Sequence, residues 1–207
     1  MKIINYIIPL GSQCFSAFFL KTNNLKKTSY PFDWIFSNPT VIINILDDNF
    51  KIFLDKNYYV IKDENLNQNK HSIYLPELMM FNHKNPYKDE DYLYYTRCVN
   101  RFNNILQKKE KKLFLLTSLR NEISNELENI CLLNNVLNNL TSNYILIAIF
   151  QKCTGVQSKE IYEHENMIII QITTLSESDG VIFLNDLDNI YYKDIIYSLF
   201  KFELYDI

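Results

Sequence analysis

Three runs in the second half of the chain limit its fold more than any other feature: Leu113 to Thr117, Tyr144 to Phe150 and Met167 to Thr173. Each is built from Ile, Leu and Phe with almost no polar alternation. A strand with one wet face alternates apolar and polar residues, so runs like these suit a sheet covered on both faces. Glu122 to Leu140 lies between the first two and carries a helical pattern. Strand–helix alternation of this kind predicts an α/β fold, a largely parallel sheet with helices on both faces. At 207 residues, a single α/β domain over residues 1–207 accounts for the whole chain.

The first half fits the same plan. Lys2 to Pro9 is a β-branched, aromatic run and reads as a buried strand, ended by Gly11 and Ser12. Cys14 to Leu20 reads as a short helix, with Asn23 and Asn24 closing it. Ser37 or Asn38 caps a second helix, with Pro39 in the first turn, where a missing N–H costs nothing. Its apolar positions run from Val41 through Ile45 to Phe50 and Phe53. Tyr58 to Ile61 and Ser72 to Leu75 are expected as short strands around a polar surface loop, Lys62 to Lys70. Met79 to Tyr87 is loop-like, and Asp89 to Leu106 is a helix whose acidic start suits the positive end of its dipole. Asp188 or Asn189 opens a last helix that runs to Phe202.

Charge and cysteine usage narrow the function. The net charge is −3 with both signs interspersed, so no basic stripe for nucleic acid is present. The densest basic run, Lys108 to Lys112, reads as a solvated joint between two elements. Four widely spaced cysteines, Cys14, Cys98, Cys131 and Cys153, show no disulfide framework and no zinc spacing. No signal peptide and no apolar run of about 18 residues is found, so no membrane partner is expected. The reducing cytoplasm is the expected compartment. No phosphate-binding glycine loop, dinucleotide fingerprint or metalloprotease motif occurs, so no cofactor or metal is expected. The oligomeric state is open. Heavy use of Asn, Ile, Lys and Tyr suggests an AT-rich genome and fits a viral source, in which case the host cytoplasm is the compartment.

One segment carries chemistry. In Pro9-Leu10-Gly11-Ser12-Gln13-Cys14 a buried strand ends, Gly11 permits a sharp turn, and a helix begins at the cysteine. Sites in open α/β sheets lie beyond the carboxyl ends of strands. A thiol at a helix N-terminus meets unpaired N–H groups and the positive end of the dipole, which can lower its pKa from about 8.5. The same N–H groups, near Gln13 to Phe15, can hold an oxyanion. The competing reading is that Cys14 packs in the core, as free cysteines often do. Cys98, Cys131 and Cys153 are expected as packing residues.

A cysteine nucleophile needs a base, and the chain has three histidines. His83 lies in a loop before a helix and is the first candidate; otherwise it is a hydrogen-bonded surface histidine. His71 closes a polar loop, and His164 sits between Glu163 and Glu165 as a solvated residue. Asp33, in Pro31-Phe32-Asp33-Trp34, is a candidate to orient the imidazole or to satisfy a turn; Asn82 and Asn85 are weaker candidates. Gly11, Gln13 and Trp34 are candidates for contact with substrate. Arg97 and Arg101 share a helix face and either bind an anionic substrate group or pair with acids such as Asp33.

Together these pieces, the Pro9–Cys14 run, Tyr30-Pro31-Phe32-Asp33-Trp34, Phe81-Asn82-His83, and Tyr95 through Arg97, Arg101 and Phe102, resemble the papain-like cysteine peptidase family catalogued as a domain of unknown function, DUF1796. The resemblance covers the chain up to about Leu116. Members occur in bacteria and in large DNA viruses. The resemblance implies Cys14 as nucleophile, His83 as base and Asp33 as third member, acting on a peptide, protein or small amide or ester. The family's name implies an alternative fold, a papain-like α+β domain with the cysteine on a long helix against an antiparallel sheet. Gln13 stands where Asn is expected in that family, and Lys84 follows His83 in place of an acidic residue or a second histidine. Two other functions remain in view: a non-catalytic binding or host-interaction protein, and an accessory protein of glycan assembly.

Overall fold

A computed structural model describes residues 1–63 and 68–206. In chain order the elements are β1 (Lys2–Ile4), β2 (Tyr6–Pro9), α1 (Phe15–Thr22), α2 (Pro39–Asp47), β3 (Tyr59–Asp63), β4 (Gln68–His71), α3 (Asp89–Leu106), β5 (Lys112–Leu119), α4 (Ile123–Leu140), β6 (Tyr144–Cys153), β7 (Ser158–His164), β8 (Met167–Thr174), α5 (Asp186–Leu199) and β9 (Phe200–Phe202). The central sheet has five strands in the order β2-β5-β6-β8-β7. β2, β5, β6 and β8 run parallel, and only β7 runs antiparallel, against β8. This is the α/β architecture expected from the apolar runs, not the α+β alternative.

The continuous apolar runs arise because the two faces of each strand meet different helices. Leu113 and Leu115 of β5 join a core with α1 and α5, while Phe114 and Leu116 join one with α2, α3 and α4. All four are fully buried. Each such side chain contributes about 1.5–3 kcal/mol on burial, so a strand with no polar face stabilises both layers at once.

Several boundaries differ from the sequence reading, each for a visible reason. Lys2 to Pro9 is two strands, because Asn5 interrupts it. Its Oδ1 accepts from the Lys111 N–H at 3.2 Å and its Nδ2 donates to the Glu203 carbonyl at 3.3 Å. β1 therefore turns to pair with β9, while β2 pairs with β5. Helix α2 stops at Asp47; Asn49 and Phe50 take positive φ of 53° and 63°, so Phe50 and Phe53 enter the core from the turn beyond it. The partner of β3 is Gln68–His71, drawn from the polar stretch, while Ser72 to Leu75 is a turn. The middle of the expected Lys62–Lys70 loop, positions 64–67, lies outside the described residues. Helix α5 starts at Asp186, capped by the Asn185 side chain, and gives way to β9 at Phe200. Lys112 is not a solvated joint residue. It is fully buried, and its ammonium donates to the Lys108 and Glu110 carbonyls.

Candidate functional site

The site forms where β2 ends beside β5. Leu10 N–H bonds the Leu115 carbonyl at 2.7 Å, extending the ladder past Pro9. Gly11 follows, and the backbone folds back so tightly that an added Cβ would collide with the Gln13 carbonyl oxygen. That close approach is why only glycine fits. Ser12 and Ser16 then fasten the start of α1 to β5. Ser12 Oγ donates to the Thr117 carbonyl at 2.7 Å, and Ser16 Oγ to Thr117 Oγ1 at 2.9 Å. Thr117 Oγ1 also meets the Tyr192 hydroxyl of α5 at 2.6 Å.

Cys14 is the N-cap residue of α1. It is 5% exposed, and its Sγ lies 3.2 Å from Nε2 of His83. His83 itself is exposed, so the sulfur sits beneath an imidazole that faces solvent. Phe18 N–H is bonded back to the Cys14 carbonyl. The N–H groups of the turn before it have no helical carbonyl to bond and surround the sulfur's end of α1.

Sixty-nine positions separate Cys14 from His83, and three features close the gap. Phe81 bridges Ile35 in antiparallel fashion, and Phe36 N–H bonds the Met80 carbonyl at 2.9 Å. Trp34 and His83 therefore meet, their rings edge-to-face with centroids 5.9 Å apart. Asp91, at the start of α3, clamps the loop's far side by accepting from Lys84 Nζ at 2.8 Å and Asn85 N–H at 2.9 Å. Ser37 N–H bonds the Ser12 carbonyl at 3.2 Å and Ser37 Oγ bonds the Gly11 carbonyl, tying the Trp34 segment to the cysteine turn.

Asp33 is buried beneath this surface. Its Oδ2 pairs with the Lys26 ammonium, and the Tyr30 backbone and Ser29 side chain also hydrogen-bond the carboxyl. Burial raises the carboxyl's pKa, and the Lys26 ammonium works against that rise. Lys26 in turn lies 5.9 Å from the centre of the Trp34 ring. Among the described residues the polar contacts of Asp33 thus run to Lys26, Tyr30 and Ser29, not to the imidazole. Asn85 spends its side-chain oxygen on the Tyr87 N–H at 3.0 Å.

The thiol is not acidified. Burial, and after it the negative charge of Asp33, push Cys14 up to about 11. The expectation from the helix dipole is reversed because the sulfur has left water and lies near a buried carboxylate. Losing hydration disfavours the charged thiolate, and so does a like charge nearby.

The other candidates fall in different places. Gln13 is half-buried and its side chain abuts Gly180, whose φ of +97° lets the loop before α5 approach it. Arg97 is exposed. Among the described residues Arg101 pairs with no acid: its Nε donates to the Ser29 carbonyl at 3.0 Å and its Nη2 to Cys98 Sγ at 3.2 Å. His71 is fully buried, correcting its reading as a loop-end residue, and its Nε2 meets the Ile52 carbonyl at 3.1 Å. Cys131 is exposed and Cys153 is intermediate, so only Cys98 of those three is a core residue. Among the described residues, no three His, Cys, Asp or Glu side chains gather as a metal would require. No helix among them is long and apolar enough to cross a membrane.

Sequence reasoning missed Lys26, the ion-pair partner of Asp33. A lysine beside another lysine and ahead of a polar Thr-Ser pair looks like surface. The only available signal was Asp33 itself, since a carboxylate between Phe and Trp needs a cation somewhere.

Fold and site together define an α/β domain that presents a cysteine–imidazole pair at the carboxyl end of its sheet. The family model described as "putative papain-like cysteine peptidase (DUF1796)" matches residues 5–150, and the chain belongs to that family. No curated protein and no solved structure matches it.

Proposed function

We propose that the protein is a cysteine-dependent hydrolase or acyl-transferase, with Cys14 as nucleophile and His83 as general base. The observation that carries this reading is the 3.2 Å approach of Cys14 Sγ to His83 Nε2. That is within the reach a general base requires. A thiol held up near 11 attacks as its proton leaves. The unprotonated ring nitrogen of His83 accepts the Sγ proton while sulfur bonds the carbonyl carbon of a peptide, another amide or an ester. The carbonyl oxygen gains the charge, and the first-turn N–H groups of α1 receive it. The imidazolium then returns the proton to the leaving amine or alcohol. Water, or a second nucleophile, releases the acyl group from sulfur.

Asp33 acts at one remove. Its pair with Lys26 places a cation by Trp34, whose ring packs against His83, so Asp33 is a positioning residue. Gln13, next to the thiol in the chain, and Trp34, against the His83 ring, are the half-buried surfaces that a substrate would meet, while Gly11 is buried and serves by shaping the turn. The second reading, a binding protein with an inert core cysteine, is favoured by one fact, the 5% exposure of Cys14.

An electrophilic activity-based probe separates the two. The wild type is expected to label at Cys14 and Cys14→Ala to lose the label. Labelling that survives the substitution, or is absent from the folded wild type, supports the inert reading.

A further inference from the structure

Strand β7 ends the central sheet. Among the described residues its ladder runs only to β8, and all seven of its residues are exposed. It lies beyond residues 5–150, the part matched to the family. Exposed edge strands offer unpaired N–H and C=O groups and are commonly blunted by proline, by bulges or by scattered charge. This one has no proline, and its register with β8 is unbroken from Ser158 to His164. What it has is charge in a self-complementary order.

The sequence is Ser158-Lys159-Glu160-Ile161-Tyr162-Glu163-His164. A second β7 laid antiparallel about a twofold at Ile161 sets Lys159 opposite Glu163, Glu160 opposite Tyr162, and Ile161 opposite itself. All seven positions are paired. Opposed residues share a face of the sheet, so each complementary pair is in reach. Lys159 makes no ion pair among the described residues. Glu163 has Lys2 at 3.5 Å, with both side chains about half exposed, so Lys159 of a second copy would flank a carboxylate that already sits in a positive field. Moving the twofold back to Glu160 places that carboxylate against its own copy. Moving it forward to Tyr162 sets Ile161 against Glu163 and leaves Lys159 beyond the strand's end. A cleft of about 590 Å³ borders the edge on the α4 side, with Leu127, Tyr162, Met167 and Ile169 in its lining. Leu127 and Tyr162 are 45% and 55% exposed. The twofold brings the two copies' clefts to the same side of the joined sheet, where these apolar groups lose water.

We propose that β7 is a self-recognition edge, and that two copies of this chain join antiparallel through it about Ile161 into one continuous sheet. The Cys14 turn follows β2, at the opposite edge of the sheet from β7, so the dimer stands independently of the proposed chemistry.

The test is the oligomeric state of the full chain by sedimentation at micromolar to millimolar concentration. The wild type is expected to be a dimer. Lys159→Glu puts like charges together twice across the twofold and is expected to weaken association by about tenfold or more. The double variant Lys159→Glu, Glu163→Lys restores both pairs and is expected to recover most of the affinity. Register is read by disulfide trapping in a Cys131→Ser background. Residues directly opposed in an antiparallel pair have Cα atoms about 4.5–5.5 Å apart, within disulfide range. Ile161→Cys is expected to form a covalent dimer under mild oxidation, and Tyr162→Cys is not. A wild type that stays monomeric throughout, a dimer indifferent to the charge reversal, or trapping at Tyr162 instead of Ile161 overturns the proposal.

Discussion

Cys14 and Cys98 are both buried, and each lies 3.2 Å from a nitrogen of a basic side chain. Both thiols are pushed up by burial. The difference lies in the partner. Cys98 sits within α3 beneath the guanidinium of Arg101, which stays charged in proteins and can donate but never accept. Cys14 sits at the start of α1 beneath an imidazole, which can take the proton. The first arrangement is a packing contact with a hydrogen bond. The second sets a group able to accept a proton against the sulfur, open to solvent on one side. What distinguishes Cys14 from Cys98, and what the proposed chemistry depends on, is thus neither depth nor a nearby basic group in general, but whether the neighbour can accept a proton.

That contrast can be broken most forcefully at His83. His83→Ala is expected to lower turnover of an amide or ester substrate by about a hundredfold to ten-thousandfold, the usual range for a general base. Cys98→Ser, measured on the same substrate, is expected to leave turnover within about threefold, since no proton moves there. Equal losses in the two variants would erase the distinction.

Next in size is the ion pair beneath the site. The Lys26 and Asp33 side chains are 11% and 0% exposed. Lys26→Met strands a buried carboxylate and is expected to cost about 3–5 kcal/mol in denaturant unfolding, whereas changing both residues to apolar ones is expected to cost less. Arg101→Met should do less harm, about 1–3 kcal/mol from the lost bond to Ser29, and should leave probe labelling of Cys14 intact.

The smallest effect is on stability at alkaline pH. The Cys14 thiol is raised from 9.0 to about 11 in the folded chain. Below pH 9 both states hold the proton and the group contributes nothing to pH dependence. Above it the unfolded chain ionises first and is favoured, so stability falls as pH rises toward 11. Cys14→Ala is expected to flatten that part of the stability profile, read by thermal unfolding at alkaline pH.

The buried sheet was legible in the sequence because strands covered on both faces must be apolar throughout, as Tyr144 to Phe150 is. The Cys14 turn was legible because Gly11 stands between a β-branched run and an aromatic helix. The cap at Asn38-Pro39 reads for the same local reason, with Asn38 Oδ1 accepting from Val41 N–H at 2.9 Å. Strand β7 was not legible, since its polar, fully exposed residues give no burial pattern to read. Burial of His71 and of Lys112 was equally hidden, because each is satisfied by carbonyls that only the folded chain brings near. The rise of the Cys14 pKa was missed for a related reason. Sequence shows the helix start but not how far the sulfur is withdrawn from water, nor that Asp33 comes to lie close by.

The most direct test is a rate of alkylation for each cysteine in the folded protein at neutral pH, using an uncharged electrophile and peptide mapping, in the wild type and in His83→Ala. Cys131 is exposed and Cys14 is not, so accessibility alone ranks Cys131 first. The account predicts the opposite order in the wild type, with Cys14 modified ahead of Cys131, and loss of that lead when the imidazole is removed. Modification of Cys131 first in both proteins, with Cys14 protected throughout, would contradict it.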